Sequence, residues 1–78
     1  MNSANYLLQL LSIIKEQLQN VVFILQSCKE KMMMYWVGED MQYISIAFEN
    51  IIKQLQSQIN LCQSLAPKIL ARPSLFYR

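Results

Sequence analysis

The chain has 78 residues, of which 54% are hydrophobic and only 15% are charged, and it contains one Gly and no His. An ordinary soluble domain has roughly 45–50% apolar and 25% charged residues. One Gly excludes a glycine-rich phosphate loop, and the lack of His removes imidazole catalysis and the usual ligands of zinc and haem. We therefore expect one small domain without catalytic residues, bound metal or cofactor.

The charge of the chain favours no particular class of partner. Seven basic and five acidic residues give a net charge of +2, and the basic residues are spread along the sequence. Nucleic-acid binding needs a basic patch, and a membrane span needs about 20 consecutive apolar residues. The sequence thus predicts neither a nucleic-acid partner nor a stable membrane span. Because no basic, apolar leader opens the chain, we expect synthesis in the cytoplasm and any secretion to proceed without a cleavable signal peptide.

Apolar residues in the first half of the chain recur at helical spacing. From Leu7 to Tyr35 they are separated alternately by four and three residues, as in the a and d positions of packed helices. Asn5 and the polar residues before it can cap such a helix. The pattern predicts a first helix over about residues 5–35.

A turn and a second helix follow. The turn covers residues 36–39, where Gly38 suits the left-handed position past a helix end, and Asp40 can cap the next helix. The second helix is expected over about residues 40–66, because Pro67 should end it.

The predicted fold is all-α, an antiparallel helix–turn–helix hairpin over residues 1–66. Residues 67–78 are expected to form a flexible C-terminal tail. The alternating spacing of three and four residues between apolar positions assigns the following residues to the hairpin core: Leu7, Leu11, Ile14, Leu18, Val21, Leu25, Cys28, Met32, Ile44, Phe48, Ile51, Leu55, Cys62 and Leu65. Gln58 interrupts this pattern, and a polar side chain at such a position can set the register of packed helices.

Many apolar residues remain outside that pattern. The residues expected to contact a partner are Trp36, Met33, Met34, Ile52, Ile59, Phe23 and Ile24. A core shared by two helices seldom stabilises a chain of this length on its own. We therefore expect two hairpins to pair into a four-helix bundle.

The two cysteines are predicted to be buried, reduced thiols. Folding the chain at Gly38 separates Cys28 and Cys62 by about 20 Å along the helix axis. A disulfide needs Cα atoms within about 7 Å of each other, so no bridge forms within the chain.

The turn motif carries a resemblance. Trp36 and Gly38 are the sole Trp and Gly of the chain, two residues apart, between two helices with heptad spacing. The hairpin from about Asn5 to Ala66 resembles the W-x-G family, the small early-secreted-antigen-like proteins of type VII secretion. Ile44, eight residues after Trp36, stands where that family often has an aromatic or aliphatic residue.

The resemblance implies a bacterial hairpin protein that dimerises into a four-helix bundle. Its partner would be a second copy, a cognate hairpin protein or the helical N-terminal domain of a toxin, and a secretion ATPase would recognise the assembly. The Y-x-x-x-[D/E] export signal of the family is missing after the second helix, so we expect a partner to supply it.

Two other functions are compatible with the same composition. One is a helical immunity or scaffold module that binds a protein without any link to secretion. The other is an amphipathic protein of the membrane surface, although interfacial helices favour Lys and Arg where this chain has Gln. Homodimers and heterodimers are not distinguished by the sequence.

Overall fold

The computed structural model describes residues 3–35 and 38–71. Within those ranges the chain forms two α-helices, α1 (Ser3–Tyr35) and α2 (Glu39–Ala71), and no strand. The helices pack side by side as a hairpin whose extents are 60 × 16 × 14 Å. Because a helix of 33 residues is about 50 Å long, the molecule is one helix long and two helices wide.

The turn depends on Gly38. This residue has a φ of +121°, a conformation that side chains with a Cβ rarely adopt. Its carbonyl accepts a 3.2 Å hydrogen bond from the N–H of Met41, which closes the start of α2. Glu39 and Asp40 belong to the first helical turn, where negative charge is favoured by the helix dipole. The expectation that Asp40 precedes the helix as its cap is therefore wrong.

The second helix is longer than expected. It continues through Pro67 to Ala71, although proline lacks an N–H and crowds the preceding turn. The backbone nevertheless stays helical on both sides of Pro67, where Ala66 and Ile69 are half-buried. The expected flexible tail is thus helical over residues 67–71, and residues 72–78 lie outside the described part of the chain.

The core is a single apolar layer between the helices. The buried residues in the described part of the chain are Ala4, Val22, Ile52 and Ile59. The last three form one cluster, and Leu18, Leu25 and Leu55 pack against it. No polar side chain is buried within residues 3–35 and 38–71.

The structure corrects the residues predicted for the core and for the partner surface. Ile52 and Ile59, assigned to a partner surface, lie at the centre of the hairpin. Four residues assigned to the core are exposed instead: Ile14, Val21, Cys28 and Ile51. For α2 the physical reason lies in Gln58, because burying the stripe with Ile51 would also bury this amide at a cost. Ile52, Ile59 and Ala66, at intervals of seven residues, are all apolar.

The other residues predicted for the core face the opposite helix. All are half-buried: Leu7, Leu11, Leu18, Leu25, Met32, Ile44, Phe48, Leu55, Cys62 and Leu65. Two helices alone cannot surround a side chain, which explains why so few residues of this layer are fully covered.

Candidate interaction surface

The two sides of the hairpin can be told apart from the residue order. A residue that directly follows a core residue lies about 100° further round its helix. We call the residue directly after a core-facing residue its follower and the residue directly before it its predecessor. Because α1 and α2 run in opposite directions, the followers on both helices lie on one side of the hairpin and the predecessors lie on the other. A groove shows this arrangement, since its walls include Gln26 and Glu30 of α1 and Glu49, Lys53 and Gln56 of α2, each the follower of a core-facing residue.

The side that carries the followers is here called the polar face. It contains Ser12, Glu16, Gln19, Gln26, Glu30, Glu49, Lys53, Gln56, Asn60 and Gln63. On this face Lys29 Nζ donates a 2.9 Å hydrogen bond to Glu49 Oε1, forming an ion pair that joins the helices. The hydrogen bond from Lys29, together with the charges of Lys29 and Lys53, lowers the pKa of the Glu49 carboxyl below its ordinary value.

The opposite side is here called the apolar face. Its exposed apolar members each directly precede a core-facing residue: Tyr6, Leu10, Ile14, Val21, Ile24 and Cys28 on α1, and Tyr43, Ala47, Ile51 and Leu61 on α2. Leu65, half-buried at the edge of the core, continues this face on α2. The large side chains among them from Tyr6 to Leu61 are between 39% and 74% exposed. Near the turn, Ile24, Cys28, Met32 and Tyr35 line a shallow depression on α1. The polar face also has exposed apolar side chains, at Phe23, Met33, Ile46 and Leu70, but the apolar face has about twice as many.

The residues predicted to contact a partner do not lie together. Ile24 belongs to the apolar face, whereas Phe23 and Met33 directly follow core-facing residues and lie on the polar side. Met34 is 76% exposed and belongs to neither face, because neither of its chain neighbours is core-facing. Trp36 falls outside the described residues. A single predicted interface is thus distributed over several surfaces.

The apolar face was missed because two apolar stripes run next to each other on each helix. Val21 and Val22 differ by 100° around α1, as do Ile51 and Ile52 around α2, and each pair offers an equally apolar choice. The positions of the glutamines distinguish the exposed stripe from the buried one. Gln54 and Gln58 mark the stripe that stays outside the hairpin.

Few groups in the described part of the chain could carry chemistry. No cluster of three or more His, Cys, Asp or Glu within residues 3–35 and 38–71 could hold a metal ion. Both cysteines are free, and Cys28 is exposed rather than buried as expected. Neither helix, over its described length, is sufficiently apolar to cross a membrane.

Comparison with known protein families, characterised proteins and solved structures finds no match to this chain. The resemblance to the W-x-G family therefore depends on the residues of the sequence itself, chiefly Trp36 and Gly38 between two long helices.

Proposed function

We propose that the chain is a non-catalytic, W-x-G-like protein of a type VII secretion system. It acts as a secreted substrate, or as the helical partner that escorts a secreted toxin. Binding is through the packing of one hairpin against another in a four-helix bundle. The observation that carries this proposal is the large apolar surface that two helices leave uncovered.

The size of the uncovered surface supports pairing. The chain exposes 6340 Å². A compact monomer of 9.2 kDa would expose about 4,900 Å², so the hairpin exposes about 1,400 Å² in excess. Its radius of gyration is 17.9 Å, against about 11–12 Å for a compact domain of this length. Permanent interfaces bury about 2,000–5,000 Å² over both partners, and the excess on two hairpins falls within that range.

The turn supports the link to secretion. Trp36 stands two residues before Gly38, and the positive φ of Gly38 explains why glycine occupies that position. A W-x-G tripeptide between two long helices resembles the pattern of the W-x-G family, and here each helix has 33 residues.

Affinity purification of the tagged full-length chain from its native host tests this function. We expect a helical hairpin protein or a toxin with a helical N-terminal domain to co-purify, and export of that assembly to stop when the secretion ATPase gene is deleted. Export that continues at the wild-type level in the deletion strain contradicts the proposal. A toxin or scaffold that co-purifies but never leaves the cell identifies an immunity or scaffold module instead.

A further inference from the structure

The apolar face is long, continuous and shared by both helices. It extends from Tyr6 towards Tyr35 on α1 and from Tyr43 to Leu65 on α2. When Gln17, Gln54 and Gln58 are counted, its positions on each helix are spaced by three or four residues, the spacing with which one helix packs on another. A partner that covers the whole face must therefore be helical and about as long as the hairpin.

The charge on this face narrows the choice of partner. Lys31 and Asp40 lie near the turn and Lys68 lies near the other end, whereas the length between them is uncharged on this side. Anionic membranes and nucleic acids attract rows of Lys and Arg, which the face lacks. The surface of a partner that covers the apolar face should therefore be uncharged, apolar and helical.

The polar residues of the face favour a second copy of the chain. Gln17, Gln54 and Gln58 each directly precede a core-facing residue. They lie within three residues of the midpoints of α1 and α2. Full overlap of two hairpins about a two-fold axis brings these midpoints together, whichever direction the partner runs. Each amide carries both donors and an acceptor, so the glutamines of the two copies can hydrogen-bond to one another instead of being buried without partners.

We infer that a second copy of this chain packs on the apolar face, from Tyr6 to Cys28 of α1 and from Tyr43 to Leu65 of α2, with the polar face directed outward. This inference rests on the proposed function and deepens it, because it names the surface and the partner of the pairing proposed there. The Lys29–Glu49 ion pair stays on the outside of the dimer, where water surrounds it.

Sedimentation of the full-length chain tests the inference. We expect the wild type to sediment at twice 9.2 kDa over a wide range of concentration. Val21 is 42% exposed in the hairpin, so Val21→Glu keeps its charge hydrated in a monomer but buries it in the dimer. Since a buried unpaired charge is strongly unfavourable, the dissociation constant should rise on the order of a hundredfold or more.

Two further variants separate loss of pairing from loss of folding. Phe23→Glu is the matched control, because Phe23 is on the same helix and 70% exposed but lies on the polar side. Its dissociation constant should stay within about twofold of the wild type, as for most surface substitutions. Ile51→Glu repeats the test from α2 and should weaken pairing as Val21→Glu does. Circular dichroism should show helices in all three variants.

Several results would overturn the inference. A wild type that is monomeric at every concentration excludes self-pairing. A Phe23→Glu variant that weakens pairing as much as Val21→Glu excludes the apolar face as the site of pairing.

Other outcomes assign the apolar face to a different partner. If the chain floats with vesicles of phosphatidylcholine and phosphatidylglycerol, and Val21→Glu abolishes this, the face binds lipid. A monomer that captures a host hairpin protein through Val21 overturns self-pairing but leaves the proposed function intact. A dimer that is exported independently of the secretion ATPase supports self-pairing but contradicts the proposed function.

Discussion

At the scale of single residues, Gly38 shows how one position determines the connection. Its φ of +121° is accessible to glycine because glycine has no Cβ. A Cβ placed at this position would meet no atom within 4 Å, so crowding plays no part in the choice. The backbone conformation alone selects glycine.

We therefore expect Gly38→Ala to destabilise the hairpin by about 1–3 kcal/mol, the usual cost of a strained backbone conformation. Thermal unfolding followed by circular dichroism measures this loss. A synthetic chain with D-alanine at position 38 is the control, because D-alanine favours positive φ, and it should melt close to the wild type. Equal melting temperatures for the L-alanine variant and the wild type would contradict the role of the turn.

Glu49 provides a prediction that depends on pH. The hydrogen bond and charge of Lys29 lower its pKa in the folded chain from the ordinary value of 4.5. The ion pair therefore stabilises the fold above pH 4.5, and this contribution is lost as the pH falls through the lowered pKa. Because Glu49 is half-exposed, solvent screening keeps the effect small.

Glu49→Gln should accordingly lower the melting temperature slightly at neutral pH. The difference from the wild type should disappear at a pH low enough to protonate the carboxyl in both the folded and unfolded states. Melting curves over a pH series provide the measurement, with Glu30→Gln on the same face as the control. A difference that persists at the lowest pH would show that the charge of Glu49 is not responsible.

At the scale of the elements, each helix has two neighbouring apolar stripes and buries one of them. The buried stripe of α2 contains Ile52 and Ile59, each 8% exposed, and Ile51 remains 45% exposed on the apolar face. Periodicity of three and four residues fits both stripes, so it determines that the segment is a helix but not how the helix is rotated. The polar Gln54 and Gln58 decide the rotation, because burial of an unpaired amide is costly.

Alanine substitution at these adjacent positions distinguishes the two stripes. We expect Ile52→Ala to destabilise the hairpin by about 2–5 kcal/mol, since it leaves a cavity in the core. In a Val21→Glu background, which we expect to be monomeric, Ile51→Ala should have a much smaller effect. Denaturant unfolding of both variants measures the difference. A loss at Ile51 equal to that at Ile52 would mean that the helix is rotated towards the stripe first predicted from the sequence.

At the scale of the whole molecule, the hairpin has a polar side closed by the Lys29–Glu49 ion pair and an apolar side open to a partner. Among residues 3–35 and 38–71 four are buried, which is few for a stable isolated domain. Association that covers the apolar face adds stability by mass action. Folding and pairing should therefore be linked.

This linkage predicts that the melting temperature of the wild type rises with protein concentration. Binding of the folded state raises its apparent stability, whereas unfolding of a monomer does not depend on concentration. Calorimetric scans over a hundredfold dilution series measure it, and Val21→Glu should give the same melting temperature throughout. A wild type whose melting temperature does not change with concentration would show that folding is not linked to pairing.

The sequence by itself determined the two helices and the turn, because these depend on local properties: the helical recurrence of apolar residues and one glycine free to adopt a positive φ. The Trp36–Gly38 motif could likewise be identified from the sequence, together with its position at the predicted turn. The end of α2 could not be read from the sequence, because Pro67 predicts a helix end whereas α2 continues to Ala71, with Ala66 and Ile69 half-buried in the hairpin.

Only the tertiary structure decided which stripe is core and which is surface. Val21 and Val22, or Ile51 and Ile52, are alike in apolar character, and their roles depend on the helix that lies opposite. Because the helices are antiparallel, successive residues turn in opposite senses around α1 and α2 when both are viewed from the same end. This brings the outer stripes of α1 and α2 onto one side of the hairpin. The apolar face therefore exists only once the hairpin has formed.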